Sequence, residues 1–222
     1  MKYIYHLLII LLCYNAKAEN FYPVKIISST NDSIVGFASF PGAGKKIFFK
    51  SNLNSEKKVL EVESLTTLIY FYESDNKIVF ERWLSANILK SFQEYRYKDF
   101  SDKEKRKSWL LRTYESKNIK IFKIADEYYI SDDGKFVLKS VNRGTWASIY
   151  TLLKKPNENC AFIVSEESYG AVIIGAKKRF KKVTSLYFND VKELVERIEN
   201  DEFTEDAHVE KLVEAYENCL KN

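Results

Sequence analysis

From Phe21 to Trp83 apolar residues tend to alternate with polar ones in short runs, and the breaks between runs are rich in Asn, Asp, Ser and Gly. Alternation of period two sets one face of an extended segment on a core and the other in water, which constrains the chain to antiparallel strands joined by tight turns. The expected strands are Val24 to Ser28, Ile34 to Phe40, Lys46 to Lys50 and Val59 to Glu63. A hairpin follows, Thr67 to Tyr72 and Lys77 to Trp83, across Glu73-Ser74-Asp75-Asn76. Asn31-Asp32-Ser33 turns through local side-chain hydrogen bonds, and Gly42-Ala43-Gly44 through freedom at positive φ. An aromatic load of 15 Tyr, 15 Phe and 3 Trp also favours strands. This block reads as an antiparallel β-roll or small barrel.

Ser85 to Tyr97 is ambiguous, because Ile88, Leu89, Phe92 and Tyr95 have helical spacing among strand-favouring aromatics. Asp99 to Lys107 is polar at every position except Phe100 and reads as a charged connecting loop. It divides an N-terminal β-rich subdomain (19–98) from an α+β subdomain (108–222). Strands are expected there at Trp109 to Tyr114, Asn118 to Ile124, Glu127 to Ile130 and Phe136 to Lys139, then at Thr145 to Leu153, Ala161 to Val164 and Ala171 to Ile174. The period then changes. Phe180, Val183 and Tyr187 suggest a short helix, and Val191, Leu194, Val195 and Ile198 share one face of another, Asp190 to Glu199, behind Asn189 as N-cap. Thr204 caps a last helix with the stripe Val209, Leu212, Val213, Tyr216 and Leu220. The fold class expected is α+β, a roll or barrel followed by a second antiparallel sheet packed on a C-terminal helical hairpin.

Met1 to Ala18 have the form of a secretory signal peptide: Lys2 is the positive start, Tyr3 to Cys13 is almost wholly apolar, and Ala16-Lys17-Ala18 is a small-x-small cleavage pattern. Polar Asn15 and Lys17 close the run short of a membrane span, and Leu12 rather than a small residue precedes Cys13, which argues against a lipoprotein signal. The expected mature chain starts at Glu19, keeps 204 of the 222 residues, and lies in the periplasm or outside the cell with no transmembrane segment. Its charge excess falls from +4 to +2 with loss of Lys2 and Lys17, which gives no argument for a nucleic-acid partner.

Candidate chemistry is sparse. Cys160 and Cys219 remain after cleavage in a compartment that permits disulfides, and a bridge over a loop of roughly 60 residues is worth about 4 kcal/mol. Two buried, unpaired thiols are the alternative. His208 is the one histidine left, so neither a Ser-His-Asp triad nor a zinc centre has enough ligands, and no catalytic, cofactor or metal residue is assigned. Asp132-Asp133-Gly134 reads as a turn rather than a calcium loop. Gly44-Lys45 lacks the upstream glycine of a phosphate loop, where Ser39 stands, and the Ser or Thr that should follow, where Lys46 stands. Lys177, Lys178, Arg179, Lys181 and Lys182 form the densest basic cluster, around the apolar anchor Phe180. The cluster is either a solvated helix face or a peripheral contact for an anionic surface.

Several short segments are similar to a broad group of uncharacterised exported proteins of Bacteroidota. They are Asn31-Asp32-Ser33-Ile34-Val35-Gly36 with Lys46-Ile47-Phe48-Phe49-Lys50, Leu84 through Phe92, Glu127-Tyr128-Tyr129-Ile130, Tyr187-Phe188-Asn189-Asp190 and Tyr216-Glu217-Asn218-Cys219. Asn31, Ala86 and Val191 depart from the group's turn glycine, proline and cysteine. The resemblance implies a β-rich exported protein of a Gram-negative bacterium and brings no activity with it. The functional expectation is a non-catalytic envelope protein that binds an envelope or extracellular macromolecule through its surface. The alternatives are a carboxylate-dependent hydrolase of such a polymer and a partner or inhibitor protein recognised through an exposed β edge or the basic helix.

Overall fold

Short alternating segments condense into twelve strands in the computed structural model, which describes residues 20–42, 46–72, 76–88, 107–140, 147–169 and 175–221. Several expected features lie wholly or partly outside the described residues: the leader, the Gly42-Ala43-Gly44 turn, the turn at Glu73, most of Ser85 to Tyr97, the charged loop and the strand at Ala171. The first six strands are β1 (Tyr22–Ser28), β2 (Ser33–Ala38), β3 (Ile47–Lys50), β4 (Lys58–Leu60), β5 (Leu65–Tyr72) and β6 (Asn76–Asn87). Then come β7 (Ser108–Glu115), β8 (Lys120–Ile124), β9 (Glu127–Ile130), β10 (Phe136–Lys139), β11 (Ala147–Lys154) and β12 (Cys160–Tyr169). Three helices near the C-terminus follow, α1 (Ala176–Tyr187), α2 (Lys192–Glu199) and α3 (Val209–Cys219), the last entered through a 3₁₀ turn at Asp206–His208. The class is α+β, mostly antiparallel sheet.

One ten-stranded sheet carries both β-rich blocks, in the order β12-β11-β8-β7-β6-β5-β1-β2-β3-β4, with β10-β9 apart. The expected second sheet is therefore continuous with the first. The reason is the length of β6: its first half pairs antiparallel with β5, Asn76 to Glu81, and Leu84 to Asn87 pair parallel with Cys160 to Ile163 of β12. That last pairing closes a ring of five strands, β6, β7, β8, β11 and β12. It also makes a strand of Ser85 to Asn87, where spacing alone was ambiguous.

Register sorts the side chains of this ring. Leu110, Phe122, Leu152 and Ala161 make one small cluster, while the opposite face, with Ile121, Leu153, Phe162 and Val164, meets the helices through Phe180, Val183, Leu194, Leu212 and Tyr216. Burying faces of this kind at ~25 cal/mol per Å2 is the main stabilising term. β1, β2, β3 and β5 enclose a further cluster with Val24, Ile26, Leu68, Tyr70 and Phe80, covered in part by Tyr128 and Phe136 of the β9-β10 hairpin. Asp132, Asp133 and Gly134 form the turn of that hairpin, with Gly134 at φ 82°. Asn31, where the resemblance has glycine, sits at φ 67°, a left-handed position that asparagine tolerates better than most residues.

Polar contacts also fix the helices to the strands and their turns. Glu217 of α3 accepts the Asn118 N–H at 2.9 Å, the Asn118 side-chain amide at 2.8 Å and the Ser116 hydroxyl, all at the β7-β8 turn. After β11, Lys155 reaches Asp190 at 2.7 Å, and the Tyr216 hydroxyl donates to the same carboxylate at 2.9 Å. α2 begins at Lys192 behind Val191 with no side-chain cap, so the expected cap Asn189 and first residue Asp190 lie in the turn that precedes the helix, where Asp190 binds Lys155 and Tyr216. Thr204 likewise caps no helix through its side chain; its N–H donates to His208 Nδ1 at 3.2 Å, which gives that histidine a local structural partner.

Candidate functional site

Residues two apart on a strand share a face, so a row of polar side chains on a covered face has to be satisfied by something other than bulk water. Such a row crosses three strands of the ring. Lys123 of β8 stands opposite Thr151 of β11, and Thr151 opposite Ser165 of β12. Glu167 follows two residues after Ser165. The pairing of β11 with β12 shifts register between Thr151 and Leu152, and that of β7 with β8 between Arg112 and Tyr114, so two irregularities flank the row and re-aim its side chains. Asp206 arrives from the 3₁₀ turn before α3.

These groups face a cleft of about 860 Å3 between β8, β11, β12, the first turns of α1 and the start of α3. That volume is in the range of small-molecule sites, about 300–1,000 Å3. Lys123 Nζ bridges the two acids, 2.7 Å from Glu167 and 3.2 Å from Asp206. The hydrogen bond with Asp206, followed by burial, raises the Glu167 carboxyl above its ordinary value against the pull of Lys123. Burial raises Asp206 too, but the hydrogen bond from Glu167, the hydroxyls of Thr151 and Ser165 and the charge of Lys123 together hold it below its ordinary value. The two carboxyls thus form a proton-sharing pair whose members are pushed apart, with Glu167 the better acid-form holder. Thr151 is 1% exposed, and its hydroxyl lies near enough to Asp206 to steady the carboxylate.

The raised Glu167 carboxyl costs stability. A carboxyl raised on folding is a penalty that is full above its folded-state pKa and gone below the unfolded value, here 4.5. Glu167→Gln should therefore raise the melting temperature at pH 7, with the gain vanishing below pH 4.5. A melting series of both proteins from pH 4 to pH 8 reads this directly; a Gln variant that is less stable at pH 7 would mean that the Lys123 ion pair outweighs the repulsion.

The basic cluster, either a solvated helix face or an anion contact from its sequence, has these neighbours. Lys177 and Lys181 both bind Asp201, at 3.3 and 3.0 Å, and Lys181 also lies 3.8 Å from Glu199. Arg179 lies 3.4 Å from Glu166. Lys178 and Lys182 are exposed, and Phe180 is buried in the helix-facing core. Three of the five cations thus have carboxylate partners and do not converge on one ligand position. Cys160 and Cys219 form no disulfide: Cys160 is buried at the start of β12, where burial pushes its thiol up to about 12, and Cys219 ends α3. Among the described residues no group of three His, Cys, Asp or Glu is placed to hold a metal ion, and no helix is long and apolar enough to cross a membrane.

None of Lys123, Thr151, Ser165, Glu167 and Asp206 reads as a functional residue from the sequence; Asp206 reads only as an acid that complements the dipole of the last helix. The local signal is β12 itself, which runs apolar on both faces from Cys160 to Val164 and then turns polar on both faces from Ser165 to Glu167. Comparison with protein-family models, curated proteins and solved structures gives no match to this chain, so the site stands on its own geometry.

Proposed function

We propose that this is an exported protein of the bacterial envelope that acts by binding, and that the cleft beside Lys123, Glu167 and Asp206, rather than the basic face of α1, is where it binds. One observation carries the second half of this reading: register sets Lys123, Thr151 and Ser165 in one polar row that faces the Glu167 and Asp206 pair in a cleft of about 860 Å3. A concave site of that size with a few convergent polar groups is matched to a small polar ligand. The leader-like pattern at Met1 to Ala18 supports export. The pairing of Lys177, Arg179 and Lys181 with acidic neighbours argues against adhesion to an anionic surface through α1.

A second reading, a carboxylate-dependent hydrolase of an envelope or extracellular polymer, draws support from the proton-sharing pair, since one protonated and one ionised carboxyl can serve as acid and base. One experiment addresses export and both activities. The chain is expressed with its native N-terminus in a Gram-negative host, the periplasmic and medium fractions are collected, and the mass of the product is measured. A product starting at Glu19 is expected. The same material is titrated with a fragment set by calorimetry and assayed on generic glycoside, peptide and ester substrates. Binding lost in Asp206→Asn without turnover supports the binding protein; turnover lost in both Glu167→Gln and Asp206→Asn supports the hydrolase; retention of an intact leader in the cytoplasm overturns the export half.

A further inference from the structure

Away from the cleft, we infer that the outer face of the sheet portion β5-β1-β2-β3-β4 docks on an anionic lipid surface, through lysines interleaved with exposed apolar side chains. Val24, Ile26, Leu68 and Tyr70 of these strands are buried in the core, so the residues between them form the opposite face. Lys25 of β1 stands there, paired with Val35 of β2 on one side and with Ile69 of β5 on the other. Two residues further along β5, Phe71 pairs with Lys77 of β6. Two residues further along β2, Phe37 pairs with Lys50 of β3, and Phe48 then pairs with Val59 at the edge. An antiparallel sheet with one solvated face normally alternates apolar inward and polar outward. Here the outward set is largely apolar as well, and Val35, Val59 and Phe71 are exposed.

The charge on this face has one sign and is not neutralised. Among the described residues, Lys25, Lys50 and Lys77 have no carboxylate within ion-pair distance, in contrast to Lys177, Arg179 and Lys181 of α1. Lys50 Nζ donates to the Leu53 carbonyl at 3.2 Å and lies 4.8 Å from the ring centroid of Phe21, and Lys57 Nζ lies 4.4 Å from that of Phe48. Glu81, which continues this face along β6, is buried in the five-strand ring and held by Arg112 and Lys120. The exposed acids Glu56, Glu61 and Glu63 lie in the segments on either side of β4. A partner with anionic charge above an apolar layer matches such a face, and the kind of side chain selects lipid over protein. Protein interfaces favour Arg, Tyr and Trp and are depleted in Lys, whereas the cations here are lysines and the rings are phenylalanines. A lysine lays its hydrocarbon stem on apolar neighbours and lifts its ammonium to the phosphate level of a headgroup layer, while the apolar side chains reach the acyl boundary.

Co-sedimentation of the chain with lipid vesicles tests this, every variant carrying the same N-terminus so that the leader cannot account for a difference. Vesicles of phosphatidylglycerol and phosphatidylcholine in equal parts should be bound at least about tenfold more tightly than phosphatidylcholine alone, and high salt should remove most of the difference. Each lysine at a charged surface is worth about fivefold, so Lys25→Gln, Lys50→Gln and Lys77→Gln together should weaken binding by about a hundredfold. Lys178→Gln with Lys182→Gln, which removes exposed charge from α1 instead, should change it by less than about twofold. Val35→Glu, a single change at an exposed residue, serves where the triple variant fails to fold, and should weaken binding by about tenfold. None of these changes touches the cleft, so the loss of vesicle binding is read separately from any binding there. Equal binding to phosphatidylcholine, binding to neither vesicle, or an equal loss in the α1 variant overturns lipid docking by this face. Binding to immobilised poly-glutamate as tight as to the anionic vesicles would overturn it too, since an acidic polymer without an apolar layer would then suffice.

Discussion

Lys155→Ala lowers stability by about 3 kcal/mol and the melting temperature by roughly 10 °C, one of two large structural effects expected away from the cleft. Lys155 is 9% exposed and lies between β11 and the helices. Its Nζ is 2.7 Å from Asp190 and sits 4.6 Å from the ring centroid of Tyr216, 5.2 Å from that of Tyr187 and 5.6 Å from that of Phe188. The same loop is tied down from its other end. Glu158, 3% exposed, accepts the Lys155 N–H and the Tyr187 hydroxyl, each at 2.7 Å. Removing one partner of a buried pair generally costs about 3–5 kcal/mol, and the lower end applies because the Asp190 side chain remains 45% exposed and keeps part of its hydration. Loss of the lysine stem from among three rings adds a packing defect. Lys155→Met, which keeps most of that stem, should recover part of the loss.

The clamp also has a pH signature. Burial raises the Asp190 carboxyl, but the Lys155 hydrogen bond and charge, with the Tyr216 hydroxyl, bring it below its ordinary 3.8. A depressed carboxyl contributes stability that is present above 3.8 and lost as pH falls through the folded-state value. The gap between wild type and Lys155→Ala should therefore narrow in acid below pH 3.8. Denaturant melts at pH 7 and pH 3 measure both quantities. A loss under about 1 kcal/mol at pH 7 would place the contact with ordinary surface ion pairs and defeat the argument.

The strands were legible because their two determinants are local: alternation, and turn residues at the breaks. Glu127 to Ile130 and Phe136 to Lys139 were read to the residue, with Asp132-Asp133-Gly134 as the turn between them. Ser85 to Asn87 was not legible, since nothing in Ser-Ala-Asn favours a strand until Cys160 to Ile163 pair beside it. The same holds for the start of α2, where the expected cap Asn189 lies ahead of the helix and its neighbour Asp190 is held by Lys155, 35 positions away. The basic run was visible as a density of charge, but its partners Glu166, Glu199 and Asp201 come from β12 and the end of α2, so its neutralisation was not. The cleft was least visible of all. Lys123, Thr151 and Ser165 become neighbours only through the register of three strands, and Asp206 reaches them from a fourth segment.

Gly36→Ala should cost about 3 kcal/mol, although it adds a single methyl group to a six-residue strand. A Cβ at this position would lie 2.4 Å from the Lys50 carbonyl oxygen and 2.5 Å from Cε2 and Cζ of Phe49, well inside contact distance. The Phe49 ring could yield only by disturbing the core it shares with Val24, Ile47 and Leu68, and a backbone oxygen has no rotamer to move to. Relief therefore requires β2 and β3 to separate where Phe37 pairs with Lys50 and Ala38 with Phe49. Since β4 is joined to the sheet through β3, both edge strands should loosen together. The glycine is thus required by a close approach of two strands, and a sequence pattern that marks it as a turn-and-strand residue does not reveal why. Hydrogen exchange on the variant should show lost amide protection in β3 and β4 while β5 and the five-strand ring stay protected. Val35→Ala, at a residue 70% exposed, should stay within about 0.5 kcal/mol of the wild type. Equal effects of the two substitutions would show that β2 adjusts freely to added volume, and the close packing of β2 on β3 would then contribute little to the edge of the sheet.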